Sequence, residues 1–144
     1  MPTVRKSVIV PHRAAAMFEL VDDVERYPEF LAWCAGAEVL ERTSEITHAR
    51  IDIDYHGLKA SFATRNRKEP PEWMWLAFTE GPFERFKGHW RFVDLGGEGC
   101  RVEFAVDYSF ENRALDALLG PVFGLILATL VESFVARADA KAGA

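Results

Sequence analysis

Only two cysteines, Cys34 and Cys100, occur in the 144 residues, too few for a disulfide framework, and neither has the spacing of a zinc site. Cys34, next to Trp33, reads as a small buried residue. Histidine is also scarce, and none of the four is placed as a catalytic base. His12 follows Pro11 at a helix start, and His48 opens a strand. His56 alternates outward with Asp52 and Asp54, and His89 lies opposite Trp90. No GxSxG elbow, HExxH helix or nucleotide-binding glycine loop occurs, so no motif points to an enzyme, a cofactor or a metal. The opening Met1-Pro2-Thr3-Val4-Arg5-Lys6 enters a strand-like run without an apolar signal segment, which predicts a cytoplasmic protein. A formal charge of −5 argues against a surface built to grip DNA but leaves local basic patches open. No repeat, low-complexity segment or linker interrupts the chain, so one domain over residues 1–144 is expected.

What the chain has in quantity is a C-terminal apolar stripe. Leu119, Val122, Phe123, Ile126, Leu127, Leu130, Val131, Phe134 and Ala138 recur at helical spacing, with Glu132, Arg137 and Asp139 on the other side. Pro121 removes a backbone donor, which predicts a short helical piece over 115–119 and a main helix over 121–142. At about 1.5 Å per residue the main helix extends about 33 Å. Its uncharged stretch, 117–131, is shorter than the roughly 17–25 residues of a membrane span. A soluble amphipathic helix needing a large concave partner is the better reading.

The rest of the chain supplies that partner. Residues 3–10 read as a strand, and 12–21 and 24–31 as two short helices. After Gly36 the period changes from 3.6 to 2 and stays so to Phe110. Strands are expected at 47–57, from Leu58 through Thr64, at 72–79, 83–93 and 100–110, with the loudest turn at Asp94-Leu95-Gly96-Gly97-Glu98-Gly99. Short turns between sequential strands imply an antiparallel meander. A sheet with one greasy face and a single amphipathic helix wraps around that helix.

The stretch Val24-Glu25-Arg26-Tyr27-Pro28-Glu29-Phe30-Leu31-Ala32-Trp33-Cys34 resembles a motif of the coenzyme Q-binding and RatA-type family. So do Gly81-Pro82-Phe83, Gly88-His89-Trp90-Arg91-Phe92 and Phe134-Val135-Ala136-Arg137-Ala138. That family lies within the START-like helix-grip superfamily, which also contains polyketide cyclases and birch-pollen-allergen-like proteins. The resemblance covers essentially the full chain. It implies an α+β helix-grip fold: a curved antiparallel sheet of about seven strands around a long C-terminal helix, with two short helices after the first strand. The family includes mitochondrial proteins that bind polyprenyl quinones and bacterial toxins described as blocking ribosomal subunit association. The motifs do not separate these roles, and a cyclase-like enzyme follows from superfamily analogy alone.

Aromatic residues gather where sheet and helix should meet, as they would in a solid core or around an apolar pocket. The resemblance favours the pocket, with Tyr27, Phe30, Trp33, Phe62, Phe83, Trp90, Phe92, Phe104, Tyr108, Leu119, Phe123, Ile126 and Leu130 as its lining. Tyr27, Trp33, Trp90 and Tyr108 are candidate polar handles. The expected function is non-catalytic binding of a lipophilic ligand, a polyprenyl quinone or another lipid. The segment 27–34 and the Gly81-Pro82-Phe83 turn would frame an entrance, and peripheral contact with the inner membrane would follow.

The alternative is ribosome contact through Arg65, Arg67 and Lys68. In the hairpin of 83–93 with 100–110, a shared inner face for Trp90 and Phe104 sets Arg91 opposite Glu103 and Lys87 opposite Asp107. Each pair would be a cross-strand ion pair. On 72–79, Met74, Leu76 and Phe78 are assigned inward. Trp73 and Trp75 are then outward, where the small Ser61 and Ala63 would leave them as a bare contact patch.

Overall fold

The computed structural model describes residues 3–142; Met1 and Pro2, the start of the run without an apolar signal segment, lie outside the described residues. Strand β1 (Thr3–Val10) leads to helix α1 (Ala14–Asp22) and a 3-10 helix at Val24–Glu29. Six strands follow: β2 (Cys34–Arg42), β3 (Ile46–Tyr55), β4 (Leu58–Glu69), β5 (Trp73–Glu80), β6 (Phe83–Asp94) and β7 (Cys100–Phe110). Helix α2 (Arg113–Ala142) closes the chain. The seven strands form one antiparallel sheet in the order β1-β7-β6-β5-β4-β3-β2. It is a meander whose last strand also pairs with the first. Sheet and helix together make the expected helix-grip fold.

Alternation decides which side of the sheet meets α2. On β7, Cys100, Val102, Phe104, Val106, Tyr108 and Phe110 are buried while the residues between them are half exposed. The β6–β7 hairpin has the expected register: Trp90 pairs with Phe104, Arg91 with Glu103 and Lys87 with Asp107. Gly96 and Gly97 turn it with φ of 89° and 60°, a region where a Cβ is costly. Within β6, Gly88 faces inward, and a Cβ there would overlap Val106 and the Ala105 carbonyl. Glycine therefore permits the close approach of the two strands there.

The ion pairs expected from that register do not form. Arg91 donates to Glu72 at 2.8 Å, Glu103 accepts from Arg101 at 2.8 Å, and Asp107 accepts from Thr3. Cross-strand register brings Cα atoms together, but long side chains choose among several carboxylates around them.

Helix α2 also departs from expectation. It runs unbroken from Arg113 to Ala142 with Pro121 inside it, instead of a short piece followed by a new helix. Proline deprives the Ala117 carbonyl of its donor, but Ala117 and Pro121 both lie on the exposed side, where water can take that role. The buried side holds the helix together: Leu119, Phe123, Ile126, Leu127, Val131, Phe134 and Ala138 all face the core. By length and composition the continuous helix could cross a membrane. Here one side of it is spent on the sheet.

Candidate functional site

Between the inner face of the sheet and α2 lies a cavity of about 80 Å³. The strands contribute Ile53, Phe62, Met74, Phe86, Trp90 and Phe104 to its wall, and α2 contributes Phe123, Ile126, Leu127, Leu130 and Phe134. Val24 and Tyr27 of the 3-10 helix and Trp33 beyond it close one side. A second, smaller cavity of about 20 Å³ lies towards Pro82, Phe83, Leu119 and Val122. Ile53, Phe62 and Phe123 border both cavities. The Phe62 and Phe123 rings meet edge to face at 5.9 Å and form the partition.

Polarity rises along β4. Its inward residues are Leu58, Ala60, Phe62, Thr64, Asn66 and Lys68, running from hydrocarbon at the second cavity to charge at the far end. Lys68 is buried at 6% exposure, and its ammonium meets Asp22 at 3.0 Å, while Thr47 donates to the same carboxylate at 2.6 Å. Asn66, also 6% exposed, lines the main cavity, and its Oδ1 is buried without a hydrogen-bond partner among the described residues.

The residues expected in the lining divide into three groups. Tyr27, Trp33, Phe62, Trp90, Phe104, Phe123, Ile126 and Leu130 line the main cavity. Phe83 and Leu119 line the second one, with Phe62 and Phe123 shared. Phe30, Phe92 and Tyr108 line neither. Phe30 packs on Tyr27 and Phe134, Phe92 stacks on Trp90 and meets Phe18, and Tyr108 meets Phe123 edge-on.

The expected polar handles also change. The Tyr27 phenol already donates to the Val21 carbonyl, and burial, with Asp22 nearby, raises its pKa. Cys34 is buried, and burial pushes its thiol up to about 11, which keeps it protonated near neutrality. Asn66 was not anticipated. Its signal was legible: continuing the period-2 pattern of Phe62 and Thr64 for two more residues puts it inward.

The candidate partner surface is corrected on two points. Lys68 belongs to the interior, because β4 extends to Glu69 and the same alternation turns it inward. Arg65 and Arg67 do face outward, but Arg65 pairs with Glu41 at 2.9 Å, and Arg67 lies 4.1 Å from the centroid of Trp75. Trp73 and Trp75 are outward as assigned, yet they are not bare. Their strand neighbours are Glu69 and Arg67, and Ser61 and Ala63 lie farther along β4. The two indoles stack at 5.1 Å, with Arg67 over Trp75 and Arg91 4.8 Å from the centroid of Trp73. Guanidinium-on-indole contacts of this kind are worth about 0.5–1 kcal/mol each at exposed sites. They cover the patch that was expected to be open.

Comparison with known proteins places this geometry among relatives. The profile of the polyketide cyclase / dehydrase and lipid transport family matches residues 10–135. The ribosome association toxin RatA of Escherichia coli (strain K12) is 36% identical over 138 residues, covering 96% of this chain and 87% of the relative. The mitochondrial coenzyme Q-binding protein coq10 of Schizosaccharomyces pombe is 25% identical over 142 residues, covering 95% of this chain and 87% of that one. Among solved structures, the Zhui aromatase/cyclase of a Streptomyces strain superposes with a TM-score of 0.78. It is 18% identical, over 96% of this chain and 93% of that one, so it speaks for the fold alone.

Proposed function

The chain belongs to the polyketide cyclase / dehydrase and lipid transport family, in its coenzyme Q-binding and RatA-type branch, and from that premise we propose that it binds one lipophilic molecule without transforming it. The observation that carries this reading is the apolar cavity between sheet and helix, continued beyond the Phe62–Phe123 partition by a second one. Ligand sites usually enclose about 300–1,000 Å³, and the two cavities, at about 80 and 20 Å³, fall short of that even when joined, so a lipid-sized guest requires α2 to move off the sheet as the partition opens. Rotation of two rings joins the cavities into a channel that ends at Pro82, Phe83, Leu119 and Val122. The β4 gradient then orients the guest, with its hydrocarbon tail towards that end and its polar head at Thr64 and Asn66. A polyprenyl quinone has this build, and coq10 is named for binding one. The protein would serve as a carrier supporting respiration or quinone biosynthesis.

Solvent extraction of the purified protein followed by mass spectrometry tests the reading. A prenylated or other lipophilic molecule in near-stoichiometric yield is expected. An extract free of lipids, together with no uptake of added quinone from detergent, would overturn it.

A second reading, a ribosome-directed protein, is favoured by the names of the bacterial relatives at 33–36% identity. Its contact surface would be the outer face of the sheet around Arg65 and Arg67, and sedimentation with ribosomal particles tests it.

A further inference from the structure

We infer that the first half of α2 is a membrane-docking surface: its outward face, around Leu118 and Leu125, sits in the surface of a lipid bilayer, beside the opening through which the guest enters. The inference rests on the lipophile-binding reading and deepens it by naming the source of the guest.

Residues 117–131 carry no charge, although only one side of the helix meets the sheet. Leu118 is 56% exposed and Leu125 46%. A spacing of seven places them on one side of the helix, and Pro121, also exposed, lies between them. The outward side of such a helix ordinarily carries charged side chains, and here they return only at Asp116 and Glu132. Val122 stands four residues from Leu118 and three from Leu125, so it neighbours both. It is half-buried and borders the second cavity with Leu58, Ala60 and Pro82, which are half-buried as well. The exposed leucines therefore adjoin the apolar end of the channel.

This half of α2 is also the half free to move. Among the described residues, the side-chain bonds that tie α2 to other elements lie in its last turns: His12 to Asp139 at 2.6 Å and Arg137 to Glu29 at 2.6 Å. Apolar packing alone holds Leu119 and Phe123 on the sheet. Lifting that half in water would expose both side chains, at the full cost of hydrating them. Against a bilayer the same movement transfers them to hydrocarbon, where that cost largely vanishes.

A second copy of the chain is a poorer occupant. A stable dimer takes about 800 Å² from each partner, and two leucines and a proline among alanines fall well short of it. Nor is the attraction one of charge. The chain carries −5, and the depression at the start of α2 gathers Glu84, Glu111 and Asp116 around one arginine, Arg113. Insertion of apolar side chains into a zwitterionic surface is what this face offers. The tryptophan pair on the sheet does not compete for the role, since Arg67 and Arg91 cover it.

Co-sedimentation with sucrose-loaded phosphatidylcholine vesicles tests the inference. Wild type is expected to pellet with them alike at low and high salt, and to gain no more than about twofold when phosphatidylglycerol is added. Leu118→Gln with Leu125→Gln should weaken vesicle binding about tenfold, while uptake of ubiquinone from detergent stays as in wild type. Ile9→Gln, at an apolar side chain 70% exposed on β1, should bind vesicles as wild type does. Both leucines are exposed and glutamine is a good helix former, so the double variant should fold, and the lipid and salt comparisons in wild type decide without it. Vesicle binding that is absent in wild type, that requires phosphatidylglycerol, or that Ile9→Gln lowers equally overturns the inference and leaves the lipophile reading standing. A wild-type dimer that the double variant dissociates does the same, because the face then belongs to a second copy. Failure of wild type to take up ubiquinone from detergent overturns the lipophile reading, and with it this face as an entrance, whatever the vesicles show.

Discussion

Lys68 and Asn66 stand two residues apart on the same face of β4, yet only Lys68 has its polarity answered from within the protein. Its ammonium ends 3.0 Å from Asp22 at the C-terminal end of α1, so the pair ties helix to sheet. Taking away one member of a buried pair strands the other, at a typical cost of about 3–5 kcal/mol. Asp22 keeps a bond from Thr47 and a more distant guanidinium, Arg42 at 3.9 Å, so Lys68→Met should fall near the lower end, about 3 kcal/mol, by urea denaturation. A loss below about 1 kcal/mol would mean that the pair is no stronger than a surface bridge. In the sequence, the charge of Lys68 read as a reason to place it outside with Arg65 and Arg67. Alternation was the better guide, because a paired lysine can be buried and its partner, Asp22, lies far away in the chain. Most of the apolar lining was legible from strand alternation and helical spacing. Which aromatics reach the cavity was not: Phe30, Phe92 and Tyr108 point inward like the rest, but neighbouring rings cover them.

At the scale of the element, the strands were legible because one buried face fixes their register, and a slip by one residue would expose the whole core. Helix α2 was less so. Its proline reads locally as a boundary, while the continuous burial from Leu119 to Ala138 overrides it. An interior proline costs about 3 kcal/mol relative to alanine, so Pro121→Ala should raise stability by up to about that amount. A higher urea midpoint with an unchanged m-value is the expected result. The same midpoint in both proteins would show that the helix has already adapted to the missing bond.

The 3-10 helix Val24–Glu29 is held differently, by Arg42 of β2, which donates to both Glu25 oxygens at 2.8 Å and to the Asp22 carbonyl at 2.8 Å. The hydrogen bonds from Arg42 pull the Glu25 carboxyl down to about 2 from its usual 4.5. A lowered native pKa gives stability that is present above the unfolded value and is lost as pH falls towards the native one. The stability difference between wild type and Glu25→Gln should therefore shrink between pH 4.5 and about 2. Both side chains are partly exposed, so the difference is small, and thermal melts across that range are the measure. A gap that stays constant over the range would show that the bridge does not contribute.

For the molecule as a whole, the period of two separates two possible tasks onto two faces of one sheet. The inner face carries Phe62, Thr64 and Asn66 to the cavity, and the alternate positions on β4 carry Arg65 and Arg67 out to solvent. Between the faces lies only the backbone, so the outer arginines can change without touching the lining. Reversing both charges, Arg65→Glu with Arg67→Glu, breaks the pair with Glu41 and uncovers the Trp75 ring. Interactions of that kind are worth at most about 1 kcal/mol each at the surface, and the fold should survive the change. Affinity for a lipophilic ligand should then stay within about twofold of wild type, because the cavity wall is unaltered. Ribosome binding, if it uses this face, should respond in the opposite way. Wild type should sediment with ribosomal particles at low salt and the double variant should not. Each arginine that no longer neutralises a phosphate should also flatten the salt dependence by about one unit of slope on logarithmic axes. Sedimentation of both proteins alike would move the ribosome-binding surface off this face. If wild type fails to sediment at low salt, the ribosome reading is removed altogether, and the cavity is left as the working part of the molecule.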